Sequence, residues 1–137
     1  MEIWQLTATE LASLISKGEI SAVDATQSHL SRMNEANQKI NAVVEGCQVE
    51  ALREAKQIDA NLRKGLQLGP LAGVPVTVKV NVDQEGYATT NGLQLQKDLV
   101  AQKDNPVVNN LRKAGAIIIG RTNTPAFSLR WFTRNVI

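Results

Sequence analysis

Gly69-Pro70-Leu71-Ala72-Gly73-Val74-Pro75-Val76-Thr77-Val78-Lys79-Val80-Asn81-Val82-Asp83 is the stretch on which the fold turns. Glycine and proline punctuate its first five positions as a loop, and from Val74 onward apolar and polar residues alternate with period two. That alternation predicts a strand over Val74–Val82, with Val74, Val76, Val78, Val80 and Val82 on one face. Thr77, Lys79, Asn81 and Asp83 take the other face, so the strand carries a lysine in its polar row.

Helical patterns lie on both sides of this strand. Upstream, Thr7-Ala8-Thr9-Glu10 reads as a capping box opening a helix with Leu11, Leu14 and Ile15 as its apolar stripe, Trp4 and Leu6 as neighbours and Gly18 as its stop. Ser21 and Asp24 open a second helix of about four turns, running toward Asn37 on Val23, Thr26, Leu30 and Met33. Ile40 to Val44 is a short β-branched run suited to a strand, and Val49 to Arg63 returns to helix formers. Downstream, Asp83 to Asp104 is polar and aperiodic, an irregular excursion with Asn91-Gly92 as a turn. Asp104 or Asn105 caps a helix that starts at Pro106, buries Val107, Val108 and Leu111, and stops at Gly115. The unbroken apolar run Ala116 to Ile119 is what a strand covered on both faces requires. Strands separated by helices predict an α/β architecture. Phe127, Leu129, Trp131, Phe132, Val136 and Ile137 leave the tail apolar to its end.

Bulk composition narrows the functions. With 137 residues, 43% apolar and 20% charged, the chain reads as one globular unit, 1–137, without an internal boundary. Fifteen Lys and Arg against thirteen Asp and Glu leave +2, and the scattered basic residues predict no nucleic-acid partner. No apolar run approaches the roughly 20 residues that span a bilayer, so no membrane partner is expected. One cysteine and the lack of a leader pattern at the N-terminus predict a reducing, cytoplasmic setting.

Few residues offer chemistry. His29 is the only histidine and sits within a helical pattern, where it reads as a helix-surface residue. Neither a histidine-based triad nor a histidine metal cluster can be assembled from it, and no metal or other cofactor is implied. Cys47 follows Gly46 with no histidine near it in sequence and reads as a buried structural thiol. Lys79 has two readings on alternation alone: a charge on a solvated face, or an amine at a reaction centre.

The text around Lys79 closely resembles the segment that carries the catalytic lysine in the amidase-signature family. The resemblance continues through Thr89-Thr90-Asn91-Gly92 and Asp104-Asn105-Pro106-Val107-Val108. It then follows Leu111-Arg112-Lys113-Ala114-Gly115-Ala116-Ile117-Ile118-Ile119-Gly120-Arg121-Thr122-Asn123-Thr124-Pro125 in the family's order. It implies an incomplete piece of the family's α/β fold, made of N-terminal helices and part of a central mixed sheet flanked by helices. The activity it implies is hydrolysis of an amide to a carboxylic acid and ammonia or an amine, through a serine, a second serine in a cis peptide, and Lys79. The family places both serines in a Gly/Ser-rich stretch that this sequence does not contain, so the chain alone is expected to be inactive. One position departs from the family: Val80 stands where an acidic residue usually follows the lysine.

Two other functions stay open. The parent could be a glutaminase of the amidotransferase type, passing ammonia onward with partner subunits. Alternatively, the chain could be a truncated, non-catalytic interaction module whose apolar tail packs on another copy or another chain. The expected partner under the hydrolase reading is a small-molecule amide.

Overall fold

The computed structural model describes residues 2–136 and is built from four helices and a three-stranded sheet. α1 (Ala8–Ser16) begins where the sequence predicts, because Thr7 Oγ1 accepts from the Glu10 amide at 3.3 Å and Glu10 Oε2 accepts from the Thr7 amide at 2.8 Å. These bonds hold the Glu10 carboxyl below its ordinary value. α2 (Ala22–Ile40) is capped by Ser21, whose hydroxyl accepts from the Asp24 amide at 2.9 Å. Its first turn has a second anchor: Asp59, on α3 (Gln48–Arg63), accepts from the Ala22 and Val23 amides at 2.7 and 3.2 Å. A carboxylate suits the positive end of a helix, so one side chain both caps α2 and fixes it against α3.

The sheet has the order β1 (Val43–Gly46), β3 (Ile117–Thr122), β2 (Pro75–Lys79). Its central strand runs antiparallel to β1 and parallel to β2, as a mixed sheet. Ile117 and Ile119 face α1 to α3 and join Leu11, Ile15, Ala25, Leu30, Ala51 and Ala55 in one core. Ile118 points the other way, onto Val78, Cys47 and Val108 of α4 (Pro106–Lys113). Each such isoleucine contributes roughly 1.5–3 kcal/mol by leaving water. The unbroken apolar run therefore does mark a strand covered on both faces.

β3 carries a bulge. Val76 pairs with Ile118 but Thr77 pairs with Gly120, so Ile119 is an extra residue and the side-chain alternation inverts after it. Gly120 consequently turns toward the helices, where an added Cβ would lie 2.7 Å from Val43 Cγ1 and 3.4 Å from Met33 Sδ. Arg121 turns to the side of Ile118 and Val78. There it is fully buried, with Nη1 donating to Glu45 Oε2 at 2.8 Å and Ala88 O at 2.7 Å, and Nη2 donating to Val82 O at 3.1 Å. The Tyr87 ring lies 5.5 Å from its guanidinium carbon.

Several sequence expectations shift. α2 continues through Ile40, which is exposed, because Asn41 at φ 47° supplies the left-handed residue that ends a helix. The first strand accordingly starts at Val43 instead of Ile40. Val107 is exposed although Val108 is buried, since neighbours on a helix point about 100° apart and α4 buries the stripe of Val108 and Leu111. The excursion over 83–104 is irregular as expected, with one short helical turn, Gln94–Gln96, and a single bridge between Ala88 and Val100. Along the tail, Phe127, Leu129, Phe132 and Val136 are exposed and Trp131 is 99% exposed. Ile137 lies outside the described residues. Among those residues, no helix is long and apolar enough to cross a membrane.

Candidate active site

Because β2 and β3 are parallel neighbours, their carboxyl ends lie side by side, and in open α/β sheets such ends are where ligands bind. Lys79 is the last residue of β2 and pairs with Thr122, the last of β3. Val76 packs against the second core and Val78 is buried within it, whereas Thr77 and Lys79 on the opposite side are exposed, as the alternation predicts. Among the described residues nothing accepts a hydrogen bond or ion pair from the Lys79 ammonium.

The strand stops sooner than its valines suggest. Val80 N donates to Thr122 O at 3.0 Å, and Val82 N then turns back to Lys79 O at 2.9 Å, closing a tight turn over 79–82. Val80 is 1% exposed. Packing therefore fills the position where an acidic side chain would have required a buried partner.

Two loops meet beyond the strand ends. Asn81 Nδ2 donates to Ser128 Oγ at 3.0 Å, and Ser128 Oγ lies 2.7 Å from Thr124 Oγ1. Phe127 N donates to Asn91 O at 2.8 Å. Gly92, at φ 74°, sits so close to Thr124 that an added Cβ would come within 2.4 Å of its carbonyl oxygen. Asn135 Nδ2 then donates to Thr124 O at 2.7 Å. Lys79 thus stands two residues before the asparagine that joins this cluster of hydrogen-bonded amides and hydroxyls. Asn81, Thr124 and Ser128 were not singled out from the sequence, because the contacts that gather them span up to 47 residues.

The other chemistry-bearing residues lie elsewhere and are occupied. His29 Nδ1 lies 2.8 Å from Ala25 O, and since a carbonyl only accepts, that nitrogen carries the proton within its own helix. Cys47 is buried at the start of α3. Burial pushes its thiol up, partly offset by hydrogen bonds from Tyr87 and Gln84. Burial and the contact with Cys47 likewise raise the Tyr87 phenol. A thiol held in its neutral form is a poor nucleophile and metal ligand. Among the described residues, no three His, Cys, Asp or Glu side chains gather as a metal site.

The Amidase family pattern matches residues 24–137. The indoleacetamide hydrolase of Bradyrhizobium diazoefficiens is 50% identical over 133 residues, which is 97% of this chain and 25% of that protein. A glutamyl-tRNA(Gln) amidotransferase subunit from Moorella thermoacetica is 37% identical over 135 residues, 98% of this chain and 28% of its own length. Among solved structures, a fatty acid amide hydrolase superposes with a TM-score of 0.94 at 28% identity, over 98% of this chain and 24% of its own. A bacterial aryl acylamidase of the amidase-signature enzymes superposes at 0.84 and 25% identity, over 89% of this chain and 26% of its own. The chain thus spans about a quarter of the length of the relatives it matches. With the family pattern matched over residues 24–137 and a 50% identical relative over nearly the whole chain, the chain belongs to the amidase family of amidase-signature enzymes.

Proposed function

We propose that this chain is the N-terminal part of a single amidase domain that hydrolyses a carboxamide to a carboxylate and ammonia or an amine, with Lys79 as the lysine of a Ser-cisSer-Lys triad. The observation that carries the reading is the placement of Lys79: it stands at the carboxyl end of a parallel strand pair, exposed, with nothing among the described residues accepting from its amine. In this reading the two serines and the amides of the oxyanion hole come from the three quarters of a full-length relative that this chain does not cover. Once those groups cover the strand end, removal of water disfavours an ammonium and favours the neutral amine. Neutral Lys79 then accepts, through the second serine, the proton of the attacking hydroxyl and returns it to the departing nitrogen. The 50% identical relative acts on indoleacetamide, so a primary carboxamide with an arylacetyl group is the substrate to try first.

The test compares the 137-residue chain with a full-length polypeptide that carries it. The chain alone releases no ammonia from indole-3-acetamide, whereas the full-length protein does, and Lys79→Ala lowers its turnover about a thousandfold. Unchanged turnover in that variant removes the reading. A second reading, a glutaminase that works within an amidotransferase, is favoured by the amidotransferase relatives. Ammonia release from glutamine that requires added partner subunits would support it over the stand-alone hydrolase.

A further inference from the structure

We propose that Asn81 and Ser128 act as one positioning unit for the Lys79 amine, a role that rests on the assignment of Lys79 above. Lys79 ends its strand, and the turn over 79–82 follows at once, so the direction of its side chain depends on how that turn is held. On one side the turn is fixed by Val80, which is buried and bonded to Thr122 O. On the other side it is anchored through a side chain, by the Asn81 bond to Ser128 Oγ.

The anchor is made under strain. Phe127 and Ser128 both lie in the left-handed region, at φ 51° and 58°, although neither is glycine or asparagine. Such residues cost of order 1–3 kcal/mol each and persist only where surrounding contacts over-determine them. Here Phe127 N is bound to Asn91 O, Ser128 N to Pro125 O, and Ser128 Oγ lies between Asn81 and fully buried Thr124. Asn81 contributes a second cost, because its Oδ1 is buried without a partner among the described residues. Two strained residues and an unpaired carbonyl are a poor way to stabilise a loop. They are a sound way to hold one hydroxyl at one place against the turn that aims Lys79.

Ser128→Gly separates positioning from structure, since glycine relieves the strained φ while deleting the hydroxyl. In the full-length enzyme, Ser128→Gly and Asn81→Ala each lower kcat about tenfold with KM within about twofold, because a small misdirection of a reacting group acts on the chemical step. The Ser128→Gly unfolding midpoint stays level or rises. The double variant turns over no worse than the slower single one, as members of one unit do. Should Asn81→Ala fail to fold, Asn81→Leu, which keeps the branched shape of the side chain but can donate nothing to Ser128 Oγ, takes its place. A kcat within about twofold of the parent in Ser128→Gly, or penalties that multiply in the double variant, overturns the proposal. Lys79→Ala distinguishes the two ways of failing. If it abolishes turnover while the Asn81 and Ser128 variants work normally, only the positioning unit is lost. If it leaves turnover intact, the site assignment and the unit fall together.

Discussion

Arg121 and Lys79 sit one pairing step apart on neighbouring strands, Arg121 opposite Val78 and Lys79 opposite Thr122, and the fold treats the two cations in opposite ways. The guanidinium is shut away, donating to a carboxylate and two backbone carbonyls and lying against a tyrosine ring. The amine is exposed at the end of its strand and makes no hydrogen bond or ion pair among the described residues. A cation surrounded by partners from β1 and from 82–88 is a structural tie; a cation without them at a strand end makes no such tie among the described residues, as the proposed role of Lys79 requires.

The sharpest way to break that contrast is to remove each side chain's charge while keeping its stem. Arg121→Met takes the donor from the Val82 and Ala88 carbonyls, while the part-exposed Glu45 carboxylate turns to water, and lowers unfolding free energy by about 2 kcal/mol. Lys79→Met changes it by no more than about 0.5 kcal/mol, as surface substitutions do. Urea titrations of the two variants check both halves. Equal losses would show that the two cations share a structural role.

The same contrast marks what could be read in the sequence. The valine alternation fixed the face Lys79 occupies, and the capping residues Thr7, Ser21 and Asn105 fixed three helix starts, because each of these depends on neighbours a few residues away. The resemblance around Lys79 pointed to the family. Arg121 stood in the quoted text but gave no sign of burial, because its direction is set by the extra residue at Ile119, and a bulge leaves no mark on an apolar run. Asn81 and Ser128 were hidden for a similar reason: a hydrogen bond across 47 residues is a product of the fold.

Gly92→Ala probes the contact between the loop at 91–92 and the tail from the backbone side. A methyl at φ 74°, 2.4 Å from the Thr124 carbonyl oxygen, cannot be relieved by a rotamer change, because the clashing atom belongs to the main chain. About 2 kcal/mol of stability is lost. The tail over 124–129 comes away from Asn91, and hydrogen exchange at the Phe127 amide speeds up. Unchanged exchange there would mean that Gly92 does not hold the tail in place.

A smaller effect, read through pH, separates the well-capped N-terminal body from the strand end that carries Lys79. Two bonds to Thr7 lower the Glu10 carboxyl from 4.5, so the folded chain binds its proton less readily than the unfolded chain does. The stability this adds is present above the unfolded value and is lost as pH falls through the folded one. Unfolding midpoints recorded from about pH 6 down to about pH 3 should therefore drop more in the parent than in Glu10→Gln, which keeps an acceptor for the Thr7 amide but cannot titrate. Lys79→Met leaves the acid slope as it is, because nothing among the described residues links that amine to a carboxylate. Parallel acid slopes for parent and Glu10→Gln would show that the Thr7 box contributes nothing charge-dependent to the start of α1.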